Sequence, residues 1–243
     1  MNTAELVATA CPKIGALGGA FYFVPETVSK GKELGLDGFR FYFIGRGGVL
    51  GDVESPVVAS AFGYWNPGLV DKMWTSAREK LAPRDGGRAY MACAHDFGRA
   101  KYSAVDGLDA FCAAAEKVVA AADRAALALF AGTAAEPLAD DLPARAQQLL
   151  TVLREFRGSA HLVAVLASGV EPKVAHAIRR PEMVKPFGWE EGSIEPSDAD
   201  HAALAASDAL TDELVTPAYS VLDASEAQAL VAGLTACEAA VAG

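Results

Sequence analysis

The sequence lacks most of the features by which function classes announce themselves. Its four cysteines, Cys11, Cys93, Cys112 and Cys237, form no C-x-x-C pair and no spacing typical of a zinc site or a disulfide framework. Cys93, Cys112 and Cys237 sit in alanine-rich apolar runs, where a thiol serves as a small core hydrophobe. A reduced, cytoplasmic protein is therefore expected. No apolar run approaches the roughly 18 residues of a membrane span. The segment MNTAELVATACPKIGALGG has no basic stretch and carries Glu5, so no secretory signal is expected. The most informative absence is that of positive charge after Lys185. The rest of the chain has no lysine or arginine but holds eleven acids: Glu190, Glu191, Glu195, Asp198, Asp200, Asp208, Asp212, Glu213, Asp223, Glu226 and Glu238. Residues 1–185, with 21 basic and 20 acidic residues, are close to neutral, so nearly all of the net charge of −10 belongs to the C-terminal quarter.

What is present is apolar and helical in period. Hydrophobic residues make up 52% of the 243 positions and charged residues 21%, which excludes intrinsic disorder. The length suits one large domain or two small ones. A pI near 4.9 argues against sequence-independent nucleic-acid binding, which needs a basic face. Apolar residues recur at spacings of three and four over 108–122, from Pro143 to a stop at Gly158, and over 225–241 behind a Ser225-x-x-Gln cap. Pro25, Pro56 and Pro67 mark helix starts, the last two behind the capping residues Ser55 and Asn66, and Gly35 closes the helix opened by Pro25. The aromatic runs FYFV (21–24) and FRFYFI (39–44) read as strands or as buried helix turns; the nearby helix signals favour helix, with a small sheet as the alternative. The small, acidic, proline-punctuated stretch 131–143 is the expected internal boundary, giving units 1–140 and 141–243.

Several motifs carry chemistry only weakly. GRGGVLG (45–51) has no ribose-binding acid and no G-K-[ST] ending, so it reads as a helix-ending glycine turn rather than a phosphate loop. HLVAVLASGVEPKVAHAI (161–178) reads as helix, turn at Gly169, helix, with Lys173, His176, Arg179 and Arg180 where a DNA reader needs donors; an ordinary helix pair with a solvated basic end fits as well. His161 and His176 stand at equivalent places in that pair, close enough in pattern to meet, and each reads as a hydrogen-bonded structural histidine before it reads as a ligand. Cys93-Ala-His95 lacks a third orienting residue, and no histidine stands at metal-ligand spacing. Glu26, Arg40 and Arg46 are embedded among Tyr22, Phe23, Tyr42 and other aromatics, so each needs a partner or a cavity. A Glu26–Arg46 ion pair, or an arginine aimed at an anionic ligand, meets that need. Tyr64 and Trp65 add aromatic surface of the sort that lines small-molecule pockets.

Residues 21–70, through Tyr22, Phe23, Pro25, Glu26, Gly35, Leu36, Gly38, Phe39, Arg46, Leu50, Gly51 and Pro67, resemble the N-terminal signature of a large actinobacterial helix-turn-helix family. LREFRGSAHLVAVLASGVEPKVAHA (153–177) resembles its second block, and Gly188-Trp189 the pair that opens its next helix. The resemblance implies a mostly helical fold whose C-terminal part is related to winged-helix domains, and brings no established activity. Family members follow Gly-Trp with a charged helix and a strand-turn-strand wing ending in L-T-x-x-G. Here EEGSIEPSDADHAALAASD follows, without that ending and without a basic residue, so an eroded wing is expected.

The expected protein is thus a mostly α, multi-helix homodimer with a degenerate winged-helix-like C-terminal half. Its expected role is that of a small-molecule-binding, sensor-like protein with weakened or lost DNA binding. The candidate ligand residues are Tyr22, Phe23, Glu26, Arg40, Tyr42, Arg46, Tyr64, Trp65, His161 and His176. The alternatives are a transcriptional regulator reading DNA through Lys173, His176, Arg179 and Arg180, and a cofactor-free or haem-dependent enzyme using His161, His176 or Arg46. No metal site and no specific cofactor is read from the sequence.

Overall fold

Capping chemistry and proline placement set most of the helix starts. The computed structural model describes residues 1–243, which form twelve α-helices and no strand. They are α1 (Thr3–Leu17), α2 (Pro25–Glu33), α3 (Gly38–Gly47), α4 (Ser55–Phe62), α5 (Pro67–Arg78), α6 (Pro83–Tyr102), α7 (Leu108–Ala121), α8 (Ala128–Thr133), α9 (Leu142–Ala167), α10 (Pro172–Arg179), α11 (Asp198–Tyr219) and α12 (Ala224–Ala242). One-turn 3-10 segments, Gly48–Leu50 and Pro181–Met183, follow α3 and α10. The mostly α fold class is borne out, and the two aromatic runs resolve as a turn and as the body of α3.

Local signals held in some places and slipped in others. Asn66 caps α5 by accepting the Gly68 amide at 2.9 Å, and Gly35 takes the left-handed conformation (φ 76°) just past α2. Ser55 does not cap α4: it is the first helical residue, and its hydroxyl donates to Asp71 instead. The cap of α12 is Asp223 with Glu226, two residues before the Ser225-x-x-Gln box, because an aspartate oxygen accepts both the Ser225 and Glu226 amides. Gly158 does not stop a helix. α9 runs straight through it, since the lost propensity of one glycine, about 1 kcal/mol, is small beside the packing on either side.

Two hydrophobic clusters share the molecule. The larger joins α1, α7, α9, α11 and α12 around Ile14, Phe111, Leu150, Val215 and Leu230; the other joins α3 to α6 around Phe41, Phe43, Val58, Trp74 and Tyr90. Cys11, Cys112 and Cys237 are buried in the first, whereas Cys93 is half-buried; Cys11, not Cys93, is the third core thiol. A small third cluster, Val165, Val170, Ala175 and Leu204, holds α10 against α9 and α11.

α9 is the spine. It is buried nearly all round, and its polar residues are spent on long-range ties. Gln147 donates to the Leu17 carbonyl (3.1 Å) and accepts from Tyr102 (2.9 Å), and Thr151 donates to the Gly18 carbonyl (3.1 Å). The glycine turn after α3 serves close packing. A Cβ on Gly48 would overlap the Pro83 carbonyl oxygen at the start of α6.

Opposite signs are expected at two glycines. Gly48→Ala should lower unfolding stability by roughly 1–3 kcal/mol through overpacking. Gly158→Ala, where nothing lies within 4 Å of the added methyl, should raise it by about 0.5–1 kcal/mol. Urea unfolding midpoints check both.

Candidate functional site

The largest electrostatic commitment of the molecule lies where α9 meets α3. Glu155 is only 4% exposed, and a carboxylate so placed must be fully partnered. Arg46 grips it bidentately, Nε to Oε1 at 3.1 Å and Nη2 to Oε2 at 2.8 Å. Arg154 and the Tyr22 hydroxyl each donate to Oε1 at 3.1 Å, and Arg154 also donates to the Tyr22 oxygen at 3.1 Å. Arg46 reaches the Tyr42 hydroxyl at 2.5 Å and lies 4.7 Å from the centre of the Phe62 ring. Burial works to raise the Glu155 carboxyl, but the charges of Arg46 and Arg154 outweigh it and hold the group below its ordinary value. The Glu26–Arg46 pair expected from the sequence is not formed. Glu26 is exposed on α2, and the partner lies 109 residues from Arg46, inside the LREFRG block.

Above this knot opens a cavity of about 660 Å³, walled by α1, the end of α3, the α4–α5 loop, α9 and α10. Such a volume suits an ordinary small-molecule ligand. Tyr42, Arg46, Tyr64, Trp65, His161 and His176 all line it, so six of the ten candidate ligand residues come together from both halves of the sequence. Arg179 and Arg180, read from the sequence as DNA donors, line it as well. Arg154, Arg157 and Phe187 complete its chemistry and were missed. A signal existed for the two arginines. Arg154, Arg157 and His161 recur at spacings of three and four, which places them on one face of a helix.

The two histidines are held neutral. His161 Nδ1 lies 2.8 Å from the Thr211 hydroxyl, whose single proton already goes to the Ser207 carbonyl at 2.6 Å. Nδ1 must therefore carry the proton and donate to Thr211, which leaves Nε2 as an acceptor. Burial, aided by the charges of Arg179 and Arg157, lowers His161 to about 4. Burial likewise lowers His176 to about 4; its ring stacks on Phe187 at 3.9 Å, and Phe187 stacks on Trp65 at 3.8 Å. Tyr64 lies between the imidazoles, with ring centres 6.4 Å from His161 and 6.0 Å from His176. Only two buried side-chain nitrogen or oxygen atoms of the chain have no hydrogen-bond partner, the Tyr64 hydroxyl and Arg157 Nε, and both belong to residues lining this cavity.

The other candidates are elsewhere. Tyr22 lies below the cavity, against a void of about 20 Å³, and Phe23 is 49% exposed, stacked on Tyr42. Arg40 pairs with Asp37 and with the Ser76 hydroxyl, away from the cavity. Glu26 and Cys93 line a separate groove of about 760 Å³ between α2 and α6, whose residues are mostly exposed. Burial pushes the Cys93 thiol up, and His95 bonds Gln148 at 3.0 Å, so these two make no activated pair. Lys173 pairs with Glu171 at 2.9 Å and lies 5.7 Å from the Trp189 ring. Gly188-Trp189 opens no helix; Trp189 donates its indole N–H to the Tyr64 carbonyl at 2.9 Å, and α11 begins only at Asp198. With no strand anywhere in the chain, the wing is absent.

A family model, the Helix-turn-helix family, matches residues 8–243. No curated protein and no solved structure matches the chain. No helix is long and apolar enough to cross a membrane.

Two outcomes follow from the titration and the knot. His161 and His176 protonate near 6.5 when unfolded and near 4 when folded, so the unfolded chain binds more protons between those values. Stability is therefore full above pH 6.5 and falls as pH drops towards 4, and His161→Gln with His176→Gln should flatten that slope in urea titrations across pH. Glu155→Gln leaves Arg46 and Arg154 without their buried counter-charge, and should cost about 3–5 kcal/mol by urea denaturation at neutral pH.

Proposed function

We propose a small-molecule-binding, sensor-like role for this protein, which belongs to the helix-turn-helix family. Within that family we place it on the actinobacterial branch whose blocks residues 21–70 and 153–177 resemble, as a relative of winged-helix regulators in which DNA docking is weakened or lost. The observation that carries the reading is the cavity itself. It draws Tyr42, Arg46, Tyr64 and Trp65 from the front of the chain against His161 and His176 from the α9–α10 helix pair, so a ligand there touches both at once. A ligand that prefers one arrangement of those two parts shifts the population between them.

The same contacts weigh against DNA reading. His176 and Arg179 face the cavity lining, Arg179 is tied to Asp208, and Lys173 is tied to Glu171. α11, which follows the helix pair, carries five acids and no basic residue. Phosphate contacts supply most sequence-independent DNA affinity, and that surface would repel the backbone. Catalysis by His161 fits poorly, because an imidazole whose proton leaves near pH 4 is a weak base at neutral pH.

Native mass spectrometry and thermal-shift screening of the purified protein test the ligand role. A ligand at about a hundred times its Kd should stabilise by ~2.7 kcal/mol, or about 5–10 °C in Tm for a chain of this size. The effect should be lost in His161→Ala; a broad library with no stabiliser and no co-purifying mass overturns the role. Mobility-shift assays on the protein's own promoter at about 50 mM salt should show no complex, since even weak salt-sensitive binding is visible there. A shifted band restores the regulator reading.

A further inference from the structure

The cavity has a charge opposite to that of the protein around it. Five arginines line it, Arg46, Arg154, Arg157, Arg179 and Arg180, with Glu155 the only acidic residue of the lining. Glu155 is consumed by Arg46 and Arg154. Asp208 and Asp212, from α11, hold Arg179 and Arg157; against these three carboxylates, two positive charges remain in excess. No carboxylate pairs with Arg180. In a chain of net charge −10, such an excess gathered in one recess runs against the average of its composition.

The charges cluster as well. Arg157 and Arg179 act on both the Tyr64 hydroxyl and His161, so they share one end of the cavity. The neutral histidines add no acid to compete with them. The rest of the wall is apolar or aromatic: Phe62, Trp65, Phe187, Leu129 and Ala16.

We propose, resting on the ligand-site reading above, that the cavity takes an organic anion, a carboxylate or phosphate ester with an apolar body, whose acid group is received by the arginines of the lining and first by Arg180, the one among them with no carboxylate partner. The guanidinium fork matches either acid group in geometry, and the aromatic wall receives the body.

Calorimetric titration of the full chain at low ionic strength tests this, with 2-naphthoate, 2-naphthyl phosphate and the neutral 2-naphthamide as probes. At least one of the two anions should bind about tenfold or more tightly than the amide, and the ratio between them tells carboxylate from phosphate. Arg180→Gln should weaken anion binding severalfold and leave amide binding and the urea midpoint unchanged. Arg180 is exposed and pairs with no carboxylate, so the variant should fold. Equal affinity for amide and anions, or anion binding indifferent to Arg180→Gln, overturns the anion assignment and leaves the cavity as a ligand site. Absence of binding by all three probes at millimolar concentration overturns the anion assignment; only if the library screen also fails does the ligand-site reading fall with it.

Discussion

One carboxylate sets the geometry of everything around the cavity. Glu155 is fixed by two arginines and a phenol, and none of those groups can move without leaving a charge unpaired in a buried place. Ion pairs of this kind add little net stability over an apolar packing, because each charge has been taken out of water. What they supply is position. Arg46 is drawn from α3 and Arg154 from α9, so the pair fixes how the aromatic cluster of α3–α6 meets the spine helix. Tyr42, Phe62 and Trp65 then stand where the cavity needs an apolar wall.

The acidic C-terminal quarter has a part in this as well as a surface. Of its eleven carboxylates, Asp208 and Asp212 reach back to Arg179 and Arg157, and Glu226 and Glu238 pair with Lys117 and Lys13. The exposed pairs contribute little individually. The two aspartates matter more for position: they tie α11 to Arg157 of α9 and Arg179 of α10, two residues of the cavity lining. Arg179, which a DNA reader would offer to phosphate, is thereby paired with a carboxylate of its own chain.

The fold was legible in sequence where a single local rule was sufficient. Prolines at first turns, Asn66 as a cap and Gly35 as a stop all acted as read, and the helical period of 108–122 gave α7 almost to the residue. Errors arose where two rules competed. Gly158 was given its local preference, although burial on both sides carries α9 through it; Ser55 and Ser225 were given capping roles that side chains nearby in space or sequence took instead. The site was half legible for a different reason. Tyr42, Arg46, Tyr64, Trp65, His161 and His176 betrayed themselves as polar or aromatic groups in unusual company, but pairing is a property of the folded chain. Nothing local to Arg46 could favour Glu155 over Glu26, which is far nearer in sequence and aromatic in its surroundings. Arg154 and Arg157 were hidden in plain sight by their place in a motif read for its resemblance alone.

α9 also has a mechanical meaning. Twenty-six residues at 1.5 Å each give a rod of about 39 Å. One end sits against α6, where a side chain on Gly98 would collide with the Pro143 carbonyl, and the other hands over to α10 at Gly169 with φ 81°. Glu155 lies at its middle and His161 less than two turns further on, towards that joint. A stiff beam anchored at one end meets α10 across a single glycine joint at the other, and the only buried apolar cluster tying α10 back to its neighbours is the four-residue patch of Val165, Val170, Ala175 and Leu204.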